Sequence, residues 1–402
     1  MHYTGENMSS ESSVHSLVAD SPLTNLQLLS LVKVPTILLF ALSMWTNAFS
    51  NEPPTTDSRT RTRLEWNYLG HISLPKVRFQ KDRFGNADVR GAFAYCESRD
   101  VFAIATRKGI AEVSNPGPGS TATIVTAPRN ITADLVAQHG VTRGHPFNIY
   151  GMTWDEVTSK YYFTVEMFYN VGRKSNPILG KCDAGLTNAT GLAFTGLHSQ
   201  KTAGHICRVP AIGNKWLMVG RAAAHRTNGN WGDSAYLVNG AEIGDGNTVA
   251  HKTLFEFTKH NKMPGWRAAN QMHGAAYLPT RRLLVVCGMW GSGPEFYGMP
   301  NAFEQRYGFA PAKPNKSYHA DPYSGRFLVY SWDDLTQGIV SPEHINADFT
   351  LQNDRKQGGT GWVRMTGLAF DRKRDRLYVC ESLATAHGKF ELSPVIHVLA
   401  LK

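Results

Sequence analysis

One pattern of apolar and polar positions recurs along the chain at residues 92–105, 151–164, 274–287 and 367–380. Each copy opens on a small residue (Ala92, Gly151, Gly274, Gly367) and reaches an aromatic three positions later (Tyr95, Trp154, Tyr277, Phe370). A polar turn follows, with Arg99, Arg281 and Arg374 at one shared offset, and then an apolar run such as LLVVC or LYVC. This pattern predicts a β-hairpin: a short strand, a charged turn and a buried second strand. A glycine at the strand opening allows backbones to crowd together. Aromatic and β-branched residues suit a packed pleated surface.

The spacing of the copies sets the architecture. The aromatics stand at 95, 154, 277 and 370, and the 123-residue gap has room for a further copy. Ile206–Pro210, a turn and Trp216–Gly220 supply it. The following gap holds an insertion at about 291–317, rich in Gly, Pro, Asn and aromatics, and RFLVYSW (326–332) reads as an outer strand. A hairpin unit of about 60 residues repeated radially predicts an all-β fold, a single β-propeller over 65–402. Five blades fit the count and a sixth stays open. Closure would pair Leu69–Leu74 with Val395–Leu401, so that strands from both termini share one blade. A pair of β-sandwiches is the alternative. The tetrapeptide at 191–194 copies 367–370 but lacks a second strand after it, and reads as a chance match.

The phrases GAFAYCESRDVFAIATRKGIAEV (91–113), YYFTVEMFYNVG (161–172), LHSQKTAG (197–204) and YHADPYSGRFLVYSWDDL (318–335) resemble an uncharacterised family of secreted bacterial β-propeller-like proteins. The resemblance covers most of residues 51–402. It implies the fold and export. The family has no established activity, so no catalytic residue is carried over. This chain departs at Thr106-Arg107, where the family phrase often has Gly-His.

The N-terminus reads differently from the repeats. VPTILLFALSMW (34–45) follows Lys33 and precedes small residues at Ala48 and Ser50. This predicts a signal peptide over 1–50, cleaved after Ser50, and a secreted or periplasmic location. The run is short for a span, which needs about 20 apolar residues. An uncleaved anchor is the alternative and would be the only membrane contact. Residues 51–64 read as a flexible linker.

The 402 residues carry a net charge of +10, and 42% are hydrophobic, enough for a sizeable core. Removing 1–50 would raise the charge to about +12. Such a balance favours an anionic partner such as an envelope polysaccharide. The short basic runs at 59–63 and 372–376 make no nucleic-acid patch, and no nucleic-acid partner is expected. Five cysteines include no CxxC. Cys182 and Cys207 could pair across one loop, whereas Cys287 and Cys380 lie in strand-like runs as buried apolar residues.

In a propeller, the loops entering the inner strands and those leaving the second strands share one face. The ligand is expected there, at the channel mouth. Aligning the repeats puts His145, Glu166, Arg221, His225, Trp231, His273, Trp290, Arg364 and Glu381 on it. His145, His225 and His273, with Glu166 or Glu381, could hold a divalent metal. No cofactor is otherwise implied, and no HxH or HxxxH pair supports the metal. Hydrogen-bonded loop histidines are the alternative. Glu166, Glu295 and Glu381 could include an acid–base pair for glycoside cleavage, but no acid stands at a first-strand opening. Trp231 and Trp290 sit in glycine-rich phrases beside polar residues, as sugar stacking requires. The expected function is binding of a carbohydrate-like or anionic envelope ligand. A hydrolase or lyase using His, Glu and Arg at the mouth is the second reading.

Overall fold

The computed structural model describes residues 63–75, 92–106, 109–132, 135, 147–167, 177–221, 231–244, 246–293, 295–296, 319–320, 322–351, 364–387 and 391–402. The expected signal peptide and almost all of the linker lie outside them. Leu64, at the linker's end, is buried between two blades, so the packed chain reaches into that stretch.

Strand β1 (Trp66–Ser73) opens the fold. Four-stranded antiparallel sheets follow. Blade 1 comprises β2 (Phe93–Cys96), β3 (Val101–Thr106), β4 (Gly109–Ser114) and β5 (Ile124–Arg129). Blade 2 comprises β6 (Phe147–Asp155), β7 (Lys160–Met167), β8 (Leu179–Asp183) and β9 (Thr187–Ala193). Blade 3 comprises β10 (Ile206–Arg208), β11 (Trp216–Gly220), β12 (Ser234–Asn239) and β13 (His251–Glu256). Blade 4 has β14 (Gln271–Leu278) and β15 (Leu283–Gly291), then a small ribbon of β16 (Glu295–Phe296) and β17 (His319–Ala320), then β18 (Tyr323–Ser331) and β19 (Glu343–Asn346). Blade 5 comprises β20 (Arg364–Asp371), β21 (Arg376–His387) and β22 (Glu391–Leu401), with β1 as its outer strand.

Five blades in a ring make this a five-bladed β-propeller, closed as the termini predict. Trp66 pairs with Leu401 and Ser73 with Val395, three residues beyond the expected start of the closing strand. The 206–220 hairpin is blade 3. Residues 191–193 belong to an outer strand, which is why no hairpin follows them.

Each of the five interfaces between blades is one hydrophobic core, and the repeat explains how they form. The aromatic position of each blade points at the preceding blade. Tyr95 packs with residues of blade 5, Trp154 with blade 1 and Tyr277 with blade 3. The small position, an odd number of residues earlier, points the other way. A Cβ on Gly151 would come within 3.0 Å of the Gly204 carbonyl in blade 3. On Gly274 it would crowd Gly367 and Leu368 of blade 5, and on Gly367 it would crowd Phe93 of blade 1. A β-bulge precedes the glycine in blades 2, 4 and 5, leaving Tyr150, His273 and Thr366 as the extra residues.

Blade 3 breaks both rules. Its register places His205 at the small position and Arg208 at the aromatic one. The imidazole is accommodated because Gly220 lies opposite, where any Cβ would overlap the ring. Arg208 reaches blade 2, as an aromatic there would, but through an ion pair with Asp155 at 2.6 Å.

The shared turn arginines clamp neighbouring blades. Arg281 donates two 2.7 Å hydrogen bonds to Asp375 of blade 5. Arg374 of blade 5 donates to Asp100 (2.8 Å) and the Tyr95 hydroxyl (2.7 Å) of blade 1. Arg99 binds the buried Glu112 of its own blade, which in turn accepts from the Tyr161 hydroxyl (3.0 Å) and the Gly185 N–H (3.1 Å) of blade 2. Asp100 and Asp375 close their turns at φ 51, and Ser159 and Arg282 do the same at φ 53 and 50.

Two outcomes are expected. Gly151→Ala should lose about 1–3 kcal/mol in chemical denaturation, since a backbone carbonyl cannot yield as a side chain does. Glu112 yields a pH dependence. Burial pushes its carboxyl up, but hydrogen bonds from Arg99, Thr126, Gly185 and Tyr161 outweigh this and hold it below the ordinary value. Its contribution is therefore complete above the unfolded carboxyl's pKa, about 4.3, and is lost as pH falls through the lower folded value. Denaturation series from pH 7 to 3 should show Glu112→Gln less stable by about 1–3 kcal/mol at pH 7, with the difference shrinking toward pH 3.

Candidate functional site

The inner strands start on the upper face and their hairpin turns lie on the lower one, so loops leaving the second strands are again upper. His145 and His225 lie outside the described residues. Of Glu166, at the upper end of β7, and Arg364, opening β20, only the backbone is described. Arg221, Trp231, His273, Trp290 and Glu381 can be placed in full. The expected metal set thus falls largely outside the described residues. Among those residues, no three His, Cys, Asp or Glu side chains are grouped to hold an ion.

Glu381 is buried, and its Oε2 is engaged twice: by His397 Nε2 at 2.7 Å and by the Leu351 N–H at 2.9 Å. His397 Nδ1 in turn meets the Tyr68 hydroxyl of the closing strand at 3.1 Å. The sequence suggests a carboxylate at the channel mouth. In the fold this carboxylate ties the outer strands of blade 5 together. His273, the bulged residue of β14, is buried as well.

Trp231 and Trp266 lie above blades 3 and 4, whereas Trp290, within β15, is buried in the core between them and offers no open face for the sugar stacking expected of it. Trp231 precedes β12, is half-buried, and carries the Lys262 ammonium 4.5 Å over its ring. The Met263 N–H donates to the Trp231 carbonyl at 2.9 Å, and the Trp266 N–H to the Met263 carbonyl at 3.1 Å, so the 257–270 connection is bound to the Trp231 turn. Trp266 meets Trp290 edge-on at 5.6 Å, and the Arg326 guanidinium lies 4.9 Å over Trp290. Burial lowers the pKa of Arg326; it also lowers that of His344, helped by the charge of Arg326 nearby. Trp231 and Trp266 pack on the same core between blades 3 and 4. Residues 257–270 contain Lys259, His260, Lys262 and Arg267 and no acid, and Lys259 and Lys262 are exposed. Lys262, Trp266 and Arg326 escape the repeat alignment because the loop and the outer strand do not repeat.

A second feature lies at the opposite end of the channel. A cavity of about 90 Å³ is lined by all five inner strands. Its lining repeats by blade: a mostly small residue (Ala94, Thr153, Cys207, Ala276, Ala369), then the position of the repeat aromatic, then a rim that includes Glu97, Glu156 and Arg372. Arg372 pairs with Glu97 at 3.2 Å, and Glu156 accepts from the Ser98 N–H at 2.9 Å. Burial raises the pKa of Glu156, yet its hydrogen bonds, Ser98 among them, bring it below the ordinary value. The Arg372–Glu97 pair joins blade 5 to blade 1, and the Ser98–Glu156 hydrogen bond joins blade 1 to blade 2.

All five cysteines are free and buried. The Cys182–Cys207 pairing is not formed, because the two thiols face different interblade cores. Burial pushes every thiol up, Cys182 and Cys380 to about 12.

No protein-family model matches the chain, and no curated protein matches it in sequence. Solved structures do match. A luciferin-regenerating enzyme aligns at 10% identity over 77% of each chain, with a TM-score of 0.36. A hydrazine synthase of Kuenenia stuttgartiensis aligns at 10% identity over 72% of this chain and 62% of that one, with a TM-score of 0.30. The β-propeller domain of Myceliophteria thermophila Cps50 (Swd1) aligns at 8% identity over 75% and 68%, with a TM-score of 0.30. These are likenesses of fold, and no activity is carried over from them.

Thiol titration tests the cysteine assignment. The native protein should leave all five unmodified by an aromatic disulfide reagent at pH 8 over minutes, and all five should react in denaturant.

Proposed function

We propose that this propeller is an exported binding protein that takes an anionic, carbohydrate-like ligand on its upper face, above blades 3 and 4. The observation that carries the reading is the Lys262 ammonium stacked over the half-buried Trp231 ring, within a loop that has four basic residues and no acid. An indole offers an apolar face to a sugar ring, and the adjoining cations suit a carboxylate or sulfate on it. The net charge of +10 acts in the same direction at longer range. Binding has more support than hydrolysis. The two histidine–carboxylate pairs among the described residues, His205–Asp233 and His397–Glu381, are both buried away from solvent.

Calorimetric titration of residues 51–402 with an oligogalacturonate and with a neutral glucan of equal length tests this. The acidic oligomer should bind, more weakly as salt rises, and the neutral one should bind at least about tenfold more weakly. Trp231→Ala and Lys262→Glu should each cost about tenfold or more in affinity. Equal affinity for both glycans, or full affinity in both variants, would remove the reading.

A further inference from the structure

The interface between blades 3 and 4 holds a polar cluster that no part of the upper-face reading uses. His205 occupies the position that is glycine in blades 2, 4 and 5, and therefore points toward blade 4. Asp233, just before β12, has its Oδ2 3.6 Å from His205 Nε2, too far for a direct hydrogen bond. Tyr330 of β18 comes from blade 4, and its hydroxyl feels the charge of Asp233. All three side chains are at most 1% exposed. Neither imidazole nitrogen, neither carboxylate oxygen nor the phenol oxygen makes a hydrogen bond at normal geometry among the described residues. The Ser234 N–H and Arg221 are the other groups that act on the Asp233 carboxylate.

Five polar atoms from three side chains of one interface, sealed from solvent, need partners they do not give one another. Their chemistry is complementary: a carboxylate accepts, while an imidazole and a phenol each donate and accept. A guest that both donates and accepts can serve all three. Buried water does this, with about three hydrogen bonds to otherwise unpaired groups. A transition metal fits less well, since one imidazole and one carboxylate fall short of the three protein ligands of a usual site.

We propose that His205, Asp233 and Tyr330 form a closed hydration site in which one buried water bridges blades 3 and 4. It takes the place of the close glycine contact found where blades 2, 4 and 5 meet the blades that follow them. Burial lowers the pKa of His205 and raises that of Asp233, and the charge of each partner opposes this shift in the other. The site also accounts for Gly220, since any side chain there would fall on the imidazole.

The test uses the full chain. A crystal structure at about 1.5 Å should show one peak within hydrogen-bond distance of Tyr330 and of Asp233 or His205. A peak that touches blade 3 alone, direct contacts between these side chains with no peak, or a peak with the anomalous signal of a metal would overturn the proposal. Tyr330→Phe gives a second reading, because it removes only the hydroxyl. If the hydroxyl binds water, the melting midpoint should fall by about 2 °C. A midpoint that holds or rises would mean an unsatisfied hydroxyl had been removed, and the proposal fails.

Discussion

Everything in this molecule depends on how closely five inner strands can approach one another around a short axis. The constraint is steric and falls on one position per blade. Gly151, Gly274 and Gly367 each place a missing Cβ against the inner strand of the next blade, at distances no real Cβ tolerates. Ala92 fills that place in blade 1. The opposite face of each inner strand carries the wedge, usually an aromatic, that fills the space toward the previous blade. Small on one side and large on the other is the rule that lets flat, twisted sheets close into a ring.

Polar contacts hold the lower face of the ring on the same principle of neighbour joining neighbour. Arg281, Arg374 and the Arg99–Glu112 pair link blades 4 to 5, 5 to 1 and 1 to 2. Arg208–Asp155 continues the series from 3 to 2. Many of these groups are partly or fully buried, and burial raises the cost of leaving any one of them alone. At the interface of blades 3 and 4, the blade that has lost both repeat signatures carries His205 and Asp233, and Tyr330 of blade 4 lies in the core between the two blades.

The two ends of the channel consequently differ. The lower end is lined by equivalent residues from every blade, and its polar groups join neighbouring blades. Among the described residues, the upper end carries Trp231, Trp266, Lys259 and Lys262 on a connection and a turn that do not repeat from blade to blade. Pseudo-symmetry serves closure, and departures from it create chemical character. The ligand site proposed above rests on this cluster.

The sequence by itself determined the ring. The small opening residue, the aromatic three residues later, the polar turn and the apolar second strand are local consequences of strands that must crowd and wedge, so they are written in each of the four copies. The pairing of the termini followed from the need to close the ring, with strand-like runs at both ends to do so. Blade 3 was visible only as a hairpin, because His205 and Arg208 replace the two residues by which a copy is known; their compensations, Gly220 and Asp155, are distant in sequence. Glu381 and His273 show the other limit. Alignment could place them near the upper end of a strand, but only the tertiary structure decided that Glu381 turns to His397 and Leu351 and that His273 occupies a buried bulge. Direction and burial of a side chain depend on neighbours from other blades, and an order of residues along one chain does not contain them.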